Sequence, residues 1–247
     1  LMETRARKNK IEKDVFEELC GAIGRECVFD NIEERECYSF DTTNVKSMPD
    51  LVITPHSTEQ VSSALSIANK HNISVCTRKA GIDLTGGAVP IKGGIALDLK
   101  NMNRIVELNA SDLTISVEPG VVTNDLQREV EKFRLFYPPE SGGKSFSTIG
   151  ERVAECTGGM TGMKYGVTRE YVLALEIVLP DGSIINAGRK TLKSVAGYDL
   201  ARFFVGSEGT LGVFTKITLK LLPMPEKTST VISFFRNIDS ALNTTDR

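Results

Sequence analysis

The stretch from Leu51 to Thr77 constrains the fold of this chain more than any other. Leu51-Val-Ile-Thr54 is a short apolar run between Pro49 and Pro55 and reads as a strand. Ser57-Thr-Glu-Gln60 has the form of a capping box. Behind it Val61, Leu65 and Ala68 make the apolar stripe of a helix ending near Asn72. Ser74-Val-Cys-Thr77 is the next strand. Strand, helix, strand in under thirty residues is a βαβ unit, whose two strands run parallel. A glycine-rich segment, Arg78 to Gly87, leaves the end of the second strand.

Around this unit the pattern is mixed. Ile11, Val15, Phe16, Leu19 and Ile23 stand at helical spacing, and Gly24 can end that helix. Residues 25–48 are charged and read as irregular. Ile95–Asp98, Arg104–Glu107 and Leu113–Glu118 are short β-prone runs, and a helix is expected over 123–134, after Pro119-Gly120. Val172–Leu179 and Ser183–Ala187 flank Pro180-Asp-Gly182, a hairpin signal. Leu211–Leu222 reads as a long strand closed by Pro223, and Val231–Phe235 as the start of another. The expected class is α+β. It divides into an N-terminal helical segment (1–44), a small βαβ lobe (45–100), a larger and mainly antiparallel lobe (101–225), and the start of a further region (226–247).

Composition excludes several classes. The net charge of −2 offers no footprint for nucleic acid. No stretch approaches the ~20 apolar residues of a membrane span, and the basic first ten residues are not followed by the apolar core of a secretory signal. Five cysteines, without C-x-x-C spacing, argue against a disulfide framework or zinc ribbon and for a reducing, cytoplasmic setting. Two histidines, His56 and His71, cannot build a three-histidine metal site, so no metal is expected. Both read as loop or helix-end residues rather than as a catalytic base.

The chemistry lies in the glycines. Glycine lets a backbone approach a ligand closely and take φ > 0, and successive N–H groups in such a loop form an anion-binding concavity. The first loop carries Gly81, Gly86 and Gly87, with Thr85 as a hydroxyl donor and Arg78 as a cation. The second, Thr148 to Gly159, carries Gly150, Gly158 and Gly159 around Val153-Ala154, and its helix start could offer N–H groups to a phosphate. Each has a purely architectural alternative: a tight turn after a strand, and a buried helix packed through small residues. Taken together, two such loops suggest a ligand with phosphates in its middle, hence a dinucleotide. A nicotinamide fold is disfavoured, because no strand leads into G-x-G-x-x-G with an acidic residue about twenty positions later.

One ordered set of motifs now resembles a known family. It runs through Pro49-Asp-Leu-Val-Ile-Thr-Pro55, the 78–87 loop, Pro119-Gly-Val121, Pro139-Glu-Ser141, the 148–159 loop, Lys164-Tyr-Gly166, Lys190–Asp199 and Phe204-Val-Gly-Ser-Glu-Gly-Thr-Leu-Gly-Val213. The set is similar to the PCMH-type FAD-binding domain of the vanillyl-alcohol-oxidase superfamily, in its glycolate oxidase and D-lactate dehydrogenase branch. The resemblance implies FAD, with Arg78, Lys79, Ala80, Gly81, Ile82, Asp83, Thr85, Gly86 and Gly87 at its diphosphate. It places Pro119 and Gly120 beside the nucleotide. Pro139, Glu140 and Ser141, with Thr148, Ile149, Gly150, Glu151, Arg152, Ala154, Gly158 and Gly159, flank the ribityl chain and ring. Tyr165 and Gly166 follow, and Gly209 and Val213 stand near the adenosine.

It also implies hydride transfer from a small 2-hydroxy acid to flavin. The substrate-binding groups would lie in a cap domain beyond this region, and an iron–sulfur protein or electron-transfer flavoprotein could accept the electrons. No catalytic residue is assigned. The chain departs from the family pattern at Lys79 and Glu151, where glycine is usual, at Ile82 for threonine, and at Arg152 and Cys156 for asparagine. If 79 or 151 required φ > 0, a side chain there would cost about 1 kcal/mol or more. The Glu151 carboxylate would also repel a diphosphate. These departures motivate the alternative of a non-catalytic homologue that has lost FAD and serves as a structural module.

Overall fold

The computed structural model describes residues 11–78, 81, 85–139, 142–191, 193 and 195–245. Two sheets carry the architecture, and the class is α+β.

The first helix, α1 (Lys13–Ile23), buries Val15, Leu19 and Ile23. Residues 25–48 are more ordered than their charge suggests. A 3₁₀ turn (Arg25–Cys27) leads into β1 (Val28–Phe29), and α2 (Ile32–Cys37) begins at Asn31, whose side chain accepts the Glu34 N–H at 2.8 Å. Strand β2 (Leu51–Ile53) follows, then α3 (Thr58–Lys70), β3 (Val75–Arg78) and β4 (Ile95–Asp98). The Ser57 side chain caps α3 by accepting the Gln60 N–H, but the Gln60 amide oxygen turns to the His56 N–H instead of closing the box on Ser57. Asn72, at φ 53°, ends the helix.

β2 and β3 are parallel, as the βαβ spacing requires, but they are not neighbours. β4 lies between them, parallel to both, and β1 is added antiparallel at the edge, in the order β1-β2-β4-β3. β2 and β4 are buried along their whole length, the mark of a strand covered on both faces. The α1 stripe, Val28, Leu51, Ile53, the α3 stripe (Val61, Ala64, Leu65, Ala68), Ile95 and Leu97 form one core. The N-terminal helix is thus part of the same packed unit as the βαβ strands.

The second sheet is antiparallel throughout. It comprises β5 (Ile105–Asn109), β6 (Thr114–Val117), β8 (Val172–Val178), β9 (Ile184–Gly188) and β10 (Val213–Lys220), in the order β5-β6-β10-β8-β9. The β8–β9 hairpin turns at Gly182, at φ 89°, where the sequence places Asp-Gly. Helices α4 (Thr123–Glu131), α5 (Ile149–Glu155) and α7 (Leu200–Phe204) cover one face through Leu126, Val130, Ile149, Val153, Ala201 and Phe204. The long strand expected over 211–222 is shorter, because β10 starts after Gly212 and residues Leu222–Pro223 pair instead with β7 (Leu135–Phe136) as a separate strand, β11. A short helix, α6 (Gly162–Tyr165), precedes β8. Residues 231–235 form no strand and are exposed; α8 (Ile238–Thr245) follows them.

The two sheets meet directly. Val178 and Val213 of the second pack into the core of the first. Thr58 donates to Glu176 Oε1 at 2.9 Å, and Ser62 to the Gly182 carbonyl at 2.6 Å. No helix among the described residues is long and apolar enough to cross a membrane.

Candidate cofactor site

Between the sheets lies a cleft with a largely apolar lining. One wall is the carboxyl end of parallel strands β3 and β4, contributing Thr77, Arg78 and Leu99, with Gly87 and Ala88 of the first glycine loop. Carboxyl ends of parallel strands are where α/β sheets usually hold ligands. The opposite wall is Pro119, the start of α5 (Thr148, Gly150, Glu151, Ala154, Glu155) and the segment from Glu208 to Phe214. Loops some seventy residues apart in sequence therefore face one space.

Arg78 is nine-tenths buried and organises its wall. Its Nη1 donates to the carbonyls of Tyr38 (3.1 Å), Phe40 (3.0 Å) and Ala88 (3.2 Å), and the guanidinium lies 5.2 Å from the Tyr38 ring centre. Tyr38 is held in turn by Asp98, its hydroxyl donating at 2.6 Å, while Lys100 Nζ donates to the same hydroxyl at 3.0 Å. Burial, more than any neighbour, pushes Asp98 above the ordinary aspartate value, against the hydrogen bonds from Tyr38 and Lys100. Burial and then Asp98 push the Tyr38 phenol up. Arg78 Nε is buried and has no hydrogen-bond partner among the described residues. An orphaned cationic donor in a cleft wall costs free energy until an acceptor arrives, so the residue is suited to an anionic ligand.

The second wall is shaped by close backbone approach. A Cβ on Gly150 would stand 2.7 Å from Pro119 Cβ and 2.9 Å from its carbonyl oxygen, and one on Gly212 would stand 2.7 Å from Ile177 Cγ2. The helix start does not serve as an anion site, contrary to the sequence expectation. Its donors are already taken. Ile149 N–H donates to the Val121 carbonyl at 2.9 Å, Gly150 N–H to the Pro119 carbonyl at 2.8 Å, and Glu151 N–H to Thr148 Oγ. The Glu151 carboxylate folds back to accept from Thr148 N–H (2.9 Å) and Thr148 Oγ (3.0 Å), completing a capping box. Position 151 is helical, so the strain anticipated for a lost glycine is absent there, and the carboxylate is engaged within its own helix cap. Arg152 is almost fully buried on the far side of the helix and donates from Nε to Ser147 Oγ at 3.0 Å. The departures at 151 and 152 thus fit the fold. Lys79 and Ile82 lie outside the described residues, as do Ala80, Asp83, Glu140 and Ser141.

At the other end of α5, the Gly206–Gly209 loop satisfies carbonyls that the helix leaves open. Gly206 N–H donates to Val153 and Glu208 N–H to Ala154, at 3.0 and 2.9 Å. This clamp fixes the wall formed by Gly209, Gly212 and Val213.

Of the residues anticipated from sequence, Arg78, Gly87, Pro119, Thr148, Gly150, Glu151, Ala154, Gly209 and Val213 line the cleft. Gly120 stands behind it, where a Cβ would lie 2.5 Å from the Leu99 carbonyl. Ile149 and Arg152 point into the core, and Pro139 is buried beside Arg152. Gly81, Thr85, Gly86, Gly158, Gly159, Tyr165 and Gly166 are not in the lining; Tyr165 packs edge-on against Phe136 at 5.5 Å. Sequence reading missed Thr77, Ala88, Leu99, Glu155 and Phe214, and within the Phe204–Val213 motif it did not assign Glu208 or Gly212 to the site. Thr77 precedes Arg78 at the end of β3 and Leu99 follows β4, at strand ends that run into the cleft. Neither histidine is in the lining: His56 lies 3.3 Å from the Asn101 amide, and His71 pairs with Glu18 at 2.9 Å.

Residues 49–188 match the family model described as FAD binding domain. The chain belongs to this FAD-binding family. It is 47% identical over 235 residues to glycolate oxidase subunit GlcD of Bacillus subtilis, covering 95% of this chain and 50% of that protein. It is 36% identical to a D-lactate dehydrogenase of Anaerostipes hadrus, over 96% of this chain and 50% of that one. Its fold is shared with p-cresol methylhydroxylase, at a TM-score of 0.73 and 22% identity, over 87% of this chain and 44% of that one. The chain spans about half the length of the curated relatives it matches. The family's cofactor is FAD, and the cleft suits it: at one wall a buried guanidinium nitrogen without a partner among the described residues, and at the other glycines that let α5 and β10 pack closely on Pro119 and Ile177.

Proposed function

We propose that this chain is the FAD-binding portion of a flavin-dependent dehydrogenase or oxidase acting on a small 2-hydroxy acid of the glycolate or D-lactate class. The single observation that carries the reading is the convergence of Arg78, the first glycine loop, the α5 start and the 208–214 segment on one cleft, in a chain whose similar relatives are glycolate oxidase and D-lactate dehydrogenase. When bound, FAD supplies a hydride acceptor at flavin N5.

The chain's own residues hold and shape. Arg78 Nε and the glycine loop offer donors to the diphosphate. Leu99, Pro119, Val213 and Phe214 make an apolar slot that keeps water from a planar ring. Pro119 to Gly150 sets the slot's width through backbone contact. The described lining contains no histidine, lysine or tyrosine to take the substrate's hydroxyl proton. On this reading that base, and the cation for the substrate carboxylate, come from outside the described lining. An electron-accepting subunit, an iron–sulfur protein or an electron-transfer flavoprotein, completes the proposed assembly, and its setting is the cytoplasm.

Two measurements test this. Purified chain incubated with FAD should retain the visible absorption of oxidised flavin through gel filtration, and a colourless protein would sink the reading. The chain alone should not turn over glycolate or D-lactate, whereas the protein extended to the length of its relatives should. Turnover by the 247 residues alone would show that the base has been misplaced.

A further inference from the structure

Glu208 stands at the cleft in a backbone conformation that its residue type avoids. It has φ 50°, between Gly206 at 84° and Gly209 at 74°. A side chain in the left-handed region costs of the order of 1 kcal/mol, which glycine would not incur. Glycine is already used on either side, so the chain does not lack the means to relax this turn. The conformation is held by the Glu208 N–H, which donates to the Ala154 carbonyl at 2.9 Å and fixes the residue over the end of α5. The residue is exposed and lines the cleft. The other two carboxylates of the lining belong to α5, and that of Glu151 is engaged by Thr148. Among the described residues Glu208 has no ion-pair or side-chain hydrogen-bond partner.

A carboxylate here cannot serve the diphosphate, whose charge it would repel. It can serve donors. FAD carries vicinal hydroxyls at two places, the ribose and the ribityl chain. A carboxylate with two free oxygens can accept from both members of such a pair, as acidic residues do for ribose in other dinucleotide sites. We propose that Glu208 is a specificity-determining residue that accepts hydrogen bonds from a vicinal hydroxyl pair of the bound dinucleotide, so that its left-handed backbone is retained for the side chain it presents. This inference rests on the FAD reading above.

The test is binding of FAD, FMN and ADP, by calorimetry, to the full chain and to E208G, E208A and E208Q. E208G is the decisive variant, because it keeps the left-handed backbone and removes the carboxylate. FAD affinity should fall about five- to thirtyfold in E208G and E208A, roughly the worth of one to two net hydrogen bonds at an exposed site, and less in E208Q, which keeps an acceptor. Apo E208G should melt no lower than the wild type, since its turn is relaxed. If the ribose is the donor, ADP loses affinity in parallel and FMN does not; if the ribityl chain is, FMN loses and ADP does not. E208G binding FAD as tightly as the wild type overturns the inference while leaving the FAD site intact. Wild-type chain that binds no FAD overturns the functional reading itself.

Discussion

Gly150→Ala sets two forces against each other at the cleft wall. Gly150 sits in the first turn of α5, and alanine is favoured over glycine inside a helix by about 1 kcal/mol. Propensity alone therefore predicts stabilisation. The new Cβ, however, would stand 2.7 Å from Pro119 Cβ, 2.9 Å from the Pro119 carbonyl oxygen and 3.2 Å from Pro119 Cα. These are a ring atom and backbone, with no flexible end to yield, so the helix or the 119–121 turn must move. Overpacking of this kind costs about 1–3 kcal/mol. Movement also strains two bonds that dock the helix on that turn, Gly150 N–H to Pro119 and Ile149 N–H to Val121, each worth about 1 kcal/mol net. The sum is a net loss of roughly 1–3 kcal/mol, or a melting temperature lower by about 3–10 °C for a chain of this size.

Gly21→Ala is the matched control. That glycine lies within α1, and a Cβ there meets nothing within 4 Å. The same substitution should raise the melting temperature by about 2–4 °C. Scanning calorimetry on both apo variants, with FAD titration of each, decides the matter. G150A should weaken FAD binding and G21A should not. A G150A protein that melts higher than the wild type and binds FAD unchanged would refute the claim that backbone contact at Pro119 sets the width of the slot.

Two further substitutions probe the walls. Arg78→Lys removes the fork that serves the Tyr38, Phe40 and Ala88 carbonyls. It should destabilise the chain by about 2–4 kcal/mol, read by urea denaturation, and weaken FAD binding; unchanged values for both would show that Arg78 is replaceable. Glu176 joins the two sheets through Thr58. Burial pushes its carboxyl up, but hydrogen bonds from Lys216, Thr58 and Thr215 together outweigh burial and hold it below the ordinary 4.5. A carboxyl lowered on folding contributes stability that is complete above 4.5 and disappears as pH falls through its folded value. Glu176→Gln should therefore flatten the acid limb of a stability–pH curve below about pH 4.5, and an acid limb as steep as the wild type's would exclude this bridge.

The parts of the fold legible in sequence were those in which local chemistry and tertiary packing agree. The α3 stripe, the Ser57 cap and the Asp-Gly hairpin each declare themselves within a dozen residues, and each stands where expected. Insertion of β4 between β2 and β3 was not legible, because strand order depends on long-range pairing that no local pattern encodes. The expected strand over 231–235 failed for a related reason. Its apolar residues lack a partner strand among the described residues, and a strand's backbone groups need one. In the site, glycine motifs pointed to two loops that reach one cleft but overstated the α5 start. A glycine-rich helix entry looks like a phosphate site in any sequence, and only the positions of Val121, Pro119 and Thr148 reveal that its N–H groups are spent.

That last point explains how the chain can carry glutamate at 151, where the family resemblance leads one to expect glycine. In the pattern over 149–152, two glycines appear equivalent, yet their physical duties differ. At 150 the constraint is steric, since the α-carbon faces Pro119 and leaves no room for a Cβ. At 151 the backbone is helical and the position is the third of the helix, where glutamate is favoured because its carboxylate can close on the cap residue, as it does on Thr148. Substitution there exchanges glycine's flexibility for a self-contained cap and leaves the cleft's charge balance to the opposite wall. On the proposed reading, anion binding falls to Arg78 and the loop end at Gly87, while the α5 wall acts as a close, internally satisfied surface. The proposed cofactor, with its charge at the centre and a flat ring at an end, would fit such a division with its diphosphate against β3 and its uncharged portions against α5.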